Sequence, residues 1–289
     1  EVEARIVAPI ELEMLGIPNQ RVLRSISKYA IADITIDFND STDIYWARQQ
    51  VAERLNNALR DLPTDVSGGL APITTPLGEM FMFTVEGEGI SLEQRRTILD
   101  WTIRPALRTL PGVADVNSLG GMARSFEIIP DHNSLAAHGI SFAALQQAIQ
   151  SNNRNDGAGR ISDGDEALLV RAEGSVRTLQ DVREIVITSA QGSPTRVGDV
   201  AEVRIGALTR YGVVTKDGKG EAVEGLVLGL RGANAQKVVD SVRAKLQELA
   251  PTLPKGVTTE VFYDRGSLVE RAVGTVTKSL TEAIVIVVI

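Results

Sequence analysis

The sequence predicts an α+β fold built from split β-α-β plaits, on three observations. Four times, an amphipathic helical segment ends at an Ile-Pro or Leu-Pro pair and a β-rich segment follows. Between these units lie strand pairs with short turns, and helices alternating with antiparallel pairs pack on one face of a sheet. A middle stretch, about 123–213, lacks the repeat and reads as a separate lobe inserted into the second plait.

The first helical segment runs from Ile10 to Leu15 and stops at Ile17-Pro18, before a strand from Val22 to Ile26. The second carries Ile44, Ala47, Val51, Leu55, Ala58 and Leu59, then Leu62-Pro63 and Val66. The third carries Ile98, Leu99, Ile103, Ala106 and Leu107, then Leu110-Pro111-Gly112-Val113. The fourth carries Val238, Val239, Val242, Leu246 and Leu249, then Leu253-Pro254 and Val257. Spacing near 3.6 gives each helix one apolar face. Proline cannot continue a helix and biases the residue before it towards extended geometry, so it marks each boundary. Asp40 to Asp43 reads as a turn with an N-cap, Ser91 and Gln94 as a capping box, and Asn234 as an N-cap. Pro105, inside the third helix, predicts a kink.

Three hairpins are expected. Arg21–Ser27 pairs with Ala32–Phe38, and Val113–Ser118 with Arg124–Ile129 around Gly120-Gly121. Tyr211–Thr215 and Val223–Leu230 flank the turn-rich stretch Lys216 to Gly220. In the middle lobe Ser141 opens a short helix, and the polar, Gly-rich run from Ser151 to Gly164 reads as a loop or hairpin tip. Strands at Ala167–Ala172, Ile185–Ile187 and Val197–Ile205 and a short helix from Thr178 to Glu184 complete it. At the C-terminus the uncharged run Ala283–Ile289 follows helical spacing from Leu268 to Leu280. A membrane span needs about 20 apolar residues, so this reads as the start of one, with a buried core helix or strand as the alternative. Both ends read as cuts in a longer protein.

With 289 residues, two or three domains are expected, and 43% hydrophobic residues supply a sizeable core. No cysteine is present, which excludes thiolate metal sites and disulfides within the chain. A net charge of −7 argues against nucleic acid, whose phosphates need Lys and Arg. There is no nucleophile elbow, phosphate loop or dinucleotide fingerprint, so neither an enzyme nor a cofactor is expected. Gly157-Ala158-Gly159 lacks the flanking strand and helix of a phosphate site. His132 and His138 share no helical face at ligand spacing and read as solvated.

Carboxylates offer more. Strand alternation puts Glu79, Phe81 and Phe83 on one face and Met80 and Met82 on the other. In the next strand Val113, Asp115 and Asn117 share a face. If the two strands are neighbours, Glu79 and Asp115 converge, and two hard oxygen ligands suit a divalent cation, with Asn117 a weaker neighbour. The alternative is that both carboxylates face solvent on the open side of the sheet. Met80 and Met82 read either as thioether ligands for Cu(I) or as core filler.

Several stretches together resemble the first periplasmic loop of heavy-metal efflux pumps of the resistance-nodulation-division family. They are Phe38 to Arg48 with Val51 and Glu53-Arg54-Leu55, Gly78-Glu79-Met80-Phe81, Leu110 to Asn117, Val197 to Val203, and Tyr263-Asp264-Arg265. The resemblance implies a trimeric, proton-driven pump of the bacterial inner membrane, with this segment in the periplasm. Its partners would be a periplasmic adaptor protein, an outer-membrane channel and neighbouring protomers, and its cargo a divalent or monovalent metal cation. It implies a first porter subdomain at 1–75 that lacks its first strand, and a second at 76–122 and 214–272. A docking subdomain would occupy 123–213, its 151–164 loop reaching a neighbouring protomer, and 273–289 would begin a transmembrane helix. Both porter subdomains would be ferredoxin-like. It also places Glu79 and Asp115 on strands bordering the porter pocket, as metal ligands. The alternatives are a multidrug pump of the same family, disfavoured by 4% aromatic content, and a soluble ferredoxin-like binding or scaffold protein.

Overall fold

The computed structural model of the chain describes residues 1–64, 66–75, 77–152, 156–163, 166–172, 175–190 and 193–288. The chain divides into two compact units, Glu1–Ile73 and Thr74–Ile289.

In the first unit a π turn at Glu3–Val7 runs into helix α1 (Ala8–Met14), with Pro9, which has no N–H to donate, at the junction of the two. Strands β1 (Gln20–Lys28) and β2 (Ile31–Phe38) form the expected antiparallel hairpin. Helix α2 (Ile44–Ala58) starts at Asp43, whose carboxylate accepts from the Trp46 amide at 2.8 Å. Val7, Met14, Ala47, Ala58 and Leu62 are buried. Among the described residues no strand follows α2 within this unit, so the strand expected at Val66 is not formed. That segment carries Gly68, Gly69 and Pro72, all poor strand formers. The sheet therefore has two strands, and a cavity of about 230 Å³ lies among Ile10, Met14, Ile34, Ile36, Val51 and Leu55.

The second unit opens with β3 (Glu79–Gly87) and α3 (Leu92–Ile98). The Ser91–Gln94 capping box forms as expected, with bonds of 3.2 and 3.0 Å. Just before Pro105 the helix widens into a π turn, Leu99–Ile103, ahead of α4 (Arg104–Arg108). The Arg104 amide reaches back to the Leu99 carbonyl, and Pro105 falls in the first turn of the new helix. β4 (Val113–Gly120) follows.

The inserted lobe then runs through β5 (Arg124–Pro130), α5 (His132–Ala137), α6 (Phe142–Asn152), β6 (Asp156–Asp163), β7 (Glu166–Ala172), α7 (Leu179–Glu184), β8 (Val186–Ala190), β9 (Ser193–Arg196), α8 (Val197–Val200) and β10 (Ala201–Ala207). β10 pairs with β5, so the lobe leaves beside the point where it enters. Leu135, Leu145, Val182, Val197, Val200 and Val203 give it a core of its own. β6, in the predicted 151–164 loop, pairs antiparallel with β7, the strand expected at Ala167–Ala172; part of that loop lies outside the described residues. Two expectations fail in this region. β4 and β5 are not a hairpin: β4 pairs with β12 (Gly220–Gly229) and β5 with β10. Gly120 and Gly121 both have positive φ (66° and 67°) and turn the chain out of the sheet. Val197–Val200 is a helical turn, not strand, because Val197 and Val200 both enter the lobe core, at helical rather than alternating spacing.

The chain returns through β11 (Val214–Lys216), β12, α9 (Ala235–Leu249), β13 (Val257–Asp264) and α10 (Arg265–Val288). Asn234 caps α9, accepting from the Lys237 amide at 3.1 Å. The sheet order is β13-β3-β12-β4, all antiparallel, with β11 on the same edge of β12 as β4. Two β-α-β halves therefore interleave, with β3 and β12 central, which is the split β-α-β topology. Both helices cover one face. Leu99, Ile103 and Leu107 from the first helix meet Val238, Val239, Val242 and Leu246 of α9 over Phe81, Phe83, Val116 and Val227. Phe83 lies directly on Gly225, where a Cβ would come within 2.3 Å of its ring. The segment from 273 is helical, but among the described residues no helix is long and apolar enough to cross a membrane.

Candidate functional site

The sheet face away from the helices carries the carboxylates Glu79, Glu86, Glu224 and Glu260. A β-bulge sets its phase. Opposite β12, Val227 pairs with Phe81 but Leu228 pairs with Glu79, so Met80 is the extra residue. Met80 and Phe81 are consecutive, yet both enter the core, at 5% and 0% exposure. Glu79 is thereby separated from Phe81 and Phe83, against simple alternation, and is exposed. Met80 packs over Gly229 as core filler.

β3 and β4 are not neighbours; β12 lies between them. Glu79 and Asp115 nevertheless stand in one row, because both pair with Leu228, from opposite sides. Two strand spacings separate their backbones, about 9.5 Å. The next row is Met82–Leu226–Asn117, and the next sets Thr84 and Leu119 about Glu224.

Glu224 was not singled out in the sequence, although a carboxylate inside the apolar run Ala222 to Leu230 is a readable signal. Burial, and then the negative charge of Glu79, push its carboxyl above the usual carboxylate range. The two carboxylates therefore face a common region without a shared cation among the described residues. Lys216 contrasts with them. Its ammonium donates to Glu260 at 2.5 Å, Glu86 at 2.9 Å and Thr84 at 3.2 Å. Those bonds to Glu260 and Glu86 raise its pKa. Burial raises Glu86, but bonds from Thr84 and Lys216 and the charges of Lys216 and Arg95 outweigh it and hold the carboxyl low.

A raised carboxyl contributes stability below its unfolded value, about 4.5, that is lost as pH rises through the folded value. Glu224→Gln is therefore expected to stabilise the metal-free chain at pH 7, by at most about 1 kcal/mol, and the gain should vanish below pH 4.5. Thermal melts of both proteins at a series of pH values check this; equal melts throughout would contradict it.

Asp115 is engaged elsewhere. Its Oδ1 accepts from the Val116 amide at 2.7 Å and meets Arg108 at 3.0 Å and Arg104 at 3.5 Å, both on α4. Among the described residues no group of three or more His, Asp or Glu side chains stands ready to hold a metal ion. His132 and His138 are exposed at the two ends of α5, and the His138 ring bonds the Ser134 carbonyl at 2.8 Å.

The second unit is thus an interleaved plait with an inserted lobe, and Glu79 and Glu224 lie along the sheet face that the helices leave uncovered. The chain belongs to the AcrB/AcrD/AcrF family, whose model matches residues 1–289. It is 41% identical over 294 residues to protein HelA of Legionella pneumophila, covering 99% of this chain and 28% of that protein. It is 39% identical over 298 residues to the cobalt-zinc-cadmium resistance protein CzcA of Cupriavidus metallidurans, covering 100% of this chain and 28% of the relative. The crystal structure of a heavy metal efflux pump superposes with a TM-score of 0.86 at 32% identity, over 97% of this chain and 28% of that one. The chain thus spans under a third of the length of these relatives, two of which are named as a resistance protein and an efflux pump.

Proposed function

We propose that the chain is the first periplasmic porter and docking region of a proton-driven heavy-metal cation exporter in a bacterial inner membrane. Residues 1–75 form one porter subdomain, 76–122 with 214–272 the second, and 123–213 the docking subdomain. The helix from 273 leads towards the bilayer. Adaptor protein, outer-membrane channel and two neighbouring protomers are the partners of the complete trimer. The observation that carries this reading is similarity along the whole chain to a cobalt-zinc-cadmium resistance protein.

The cargo is a metal cation, and Glu79 and Asp115 are its ligands on this wall. Their shared row across Leu228 supports this, because side chains from backbones about 9.5 Å apart can meet at one ion. The missing ligands come from the rest of the pump. Alternating access exposes the row first to the periplasm and then to the exit path.

The test is growth of metal-sensitive cells carrying the full-length pump in graded Zn²⁺, Co²⁺, Cd²⁺, Ni²⁺ and Cu⁺. Resistance to at least one cation is expected. Resistance to dyes or detergents alone would overturn the metal reading in favour of a multidrug pump.

A further inference from the structure

Two buried polar atoms around the π turn have no partner: Asp100 Oδ1 and Arg104 Nε. Unmatched buried groups are uncommon and call for an explanation. These two are four residues apart on one helix, acid before base, which is the favoured orientation for an ion pair across one turn. The pair is not made. Asp100 instead uses Oδ2 to accept from Arg96 at 2.8 Å, and Arg104 extends to Asp115 at 3.5 Å. Asp100 lies within the π turn Leu99–Ile103 and Arg104 directly follows it, so the wider turn changes the rotation of one residue relative to the other about the helix axis. An acceptor and a donor are thus left open, one turn apart, while the donor's residue is committed to a proposed cargo ligand.

We propose that Arg104 is a two-position counter-cation, held by Asp115 when the site is empty and passed to Asp100 when a metal cation takes Asp115. This deepens the function proposed above and rests on Asp115 being a cation ligand. A divalent ion on Asp115 repels the guanidinium and competes for Oδ1, which already receives Arg104, Arg108 and the Val116 amide. Arg108 is 55% exposed and turns into water. Arg104 is less exposed, at 34%, and finds the unused acceptor of Asp100. Cargo binding then rewrites the side-chain bonding of the π turn, which links the binding wall to the helix layer behind it.

The test follows the Arg104 Nε–H signal in the chain labelled with ¹⁵N-arginine, assigned by its loss in Arg104→Lys. Asp115→Asn removes the carboxylate charge as a bound cation would. The signal is expected to move to a hydrogen-bonded position in Asp115→Asn and to lose that shift in Asp115→Asn/Asp100→Asn. Dispersion of the other arginine signals reports that each variant is folded. A signal unmoved in Asp115→Asn, or moved regardless of Asp100, overturns the proposal. A Zn²⁺ titration of the full-length pump separates the two readings. Arg104→Gln should tighten binding about two- to fivefold, the scale of one partly exposed ion pair. If Asp115→Asn leaves Zn²⁺ affinity unchanged while Arg104 still switches, the ligand assignment fails and the switch stands. If Asp115→Asn abolishes binding but Arg104 stays still, only the switch fails.

Discussion

Replacing Phe83 with alanine is expected to destabilise the unit Thr74–Ile289 by about 3–5 kcal/mol. Phe83 is fully buried on a central strand, its ring 6.3 Å from that of Phe81 and seated on Gly225. Alanine there removes the transfer energy of a large aromatic group and leaves a cavity. The cavity cannot collapse from below, because Gly225 has no side chain to fill it. Folded domains hold only about 5–15 kcal/mol in total, so the loss is a large share. Urea unfolding followed by circular dichroism checks it, with Phe142→Ala as control because Phe142 is 62% exposed. The control should shift stability by no more than about 0.5 kcal/mol. A Phe83→Ala midpoint no lower than the control's would contradict the packing described for the sheet and α9.

Replacing Glu79 with glutamine is expected to weaken cation export by at least about tenfold at limiting cation concentration. The amide keeps the size of the side chain and removes the charge that a metal ion needs from a hard oxygen ligand. Little folding cost is expected, because Glu79 is exposed and sits at the start of its strand. The substitution also removes the charge that helps push Glu224 upward. The variant should therefore be as stable as the parent, or more so, while it transports less. That combination distinguishes a lost ligand from a damaged fold, in which stability and transport would fall together.

Local chemistry was legible in the sequence and distant pairing was not. The caps at Asp43, Ser91 and Asn234 were readable because a short polar side chain reaches amides within its own turn. The apolar stripe of α9 was readable for the same reason, since Val238, Val242 and Leu246 need only helical spacing to align. β4 was misassigned because its true partner, β12, lies beyond the whole inserted lobe, whereas Gly120-Gly121 advertises a nearby hairpin. The bulge at Met80 left no local mark; it is set by how β12 pairs against β3. That single extra residue decides which face Glu79 takes. The placement of the candidate pair Glu79 and Asp115 depends on a third strand, through Leu228. Arg104 and Arg108 as partners of Asp115 needed the helix and the sheet edge to be placed together first.

The most direct measurement is Zn²⁺ efflux from Zn²⁺-loaded cells carrying the full-length pump with its adaptor and outer-membrane channel, recorded against Zn²⁺ concentration for wild type and Glu79→Gln. The half-saturating concentration should rise at least about tenfold in the variant, while transport at saturating Zn²⁺ is largely retained. Superimposable curves would contradict a cation-handling role for this face of the sheet.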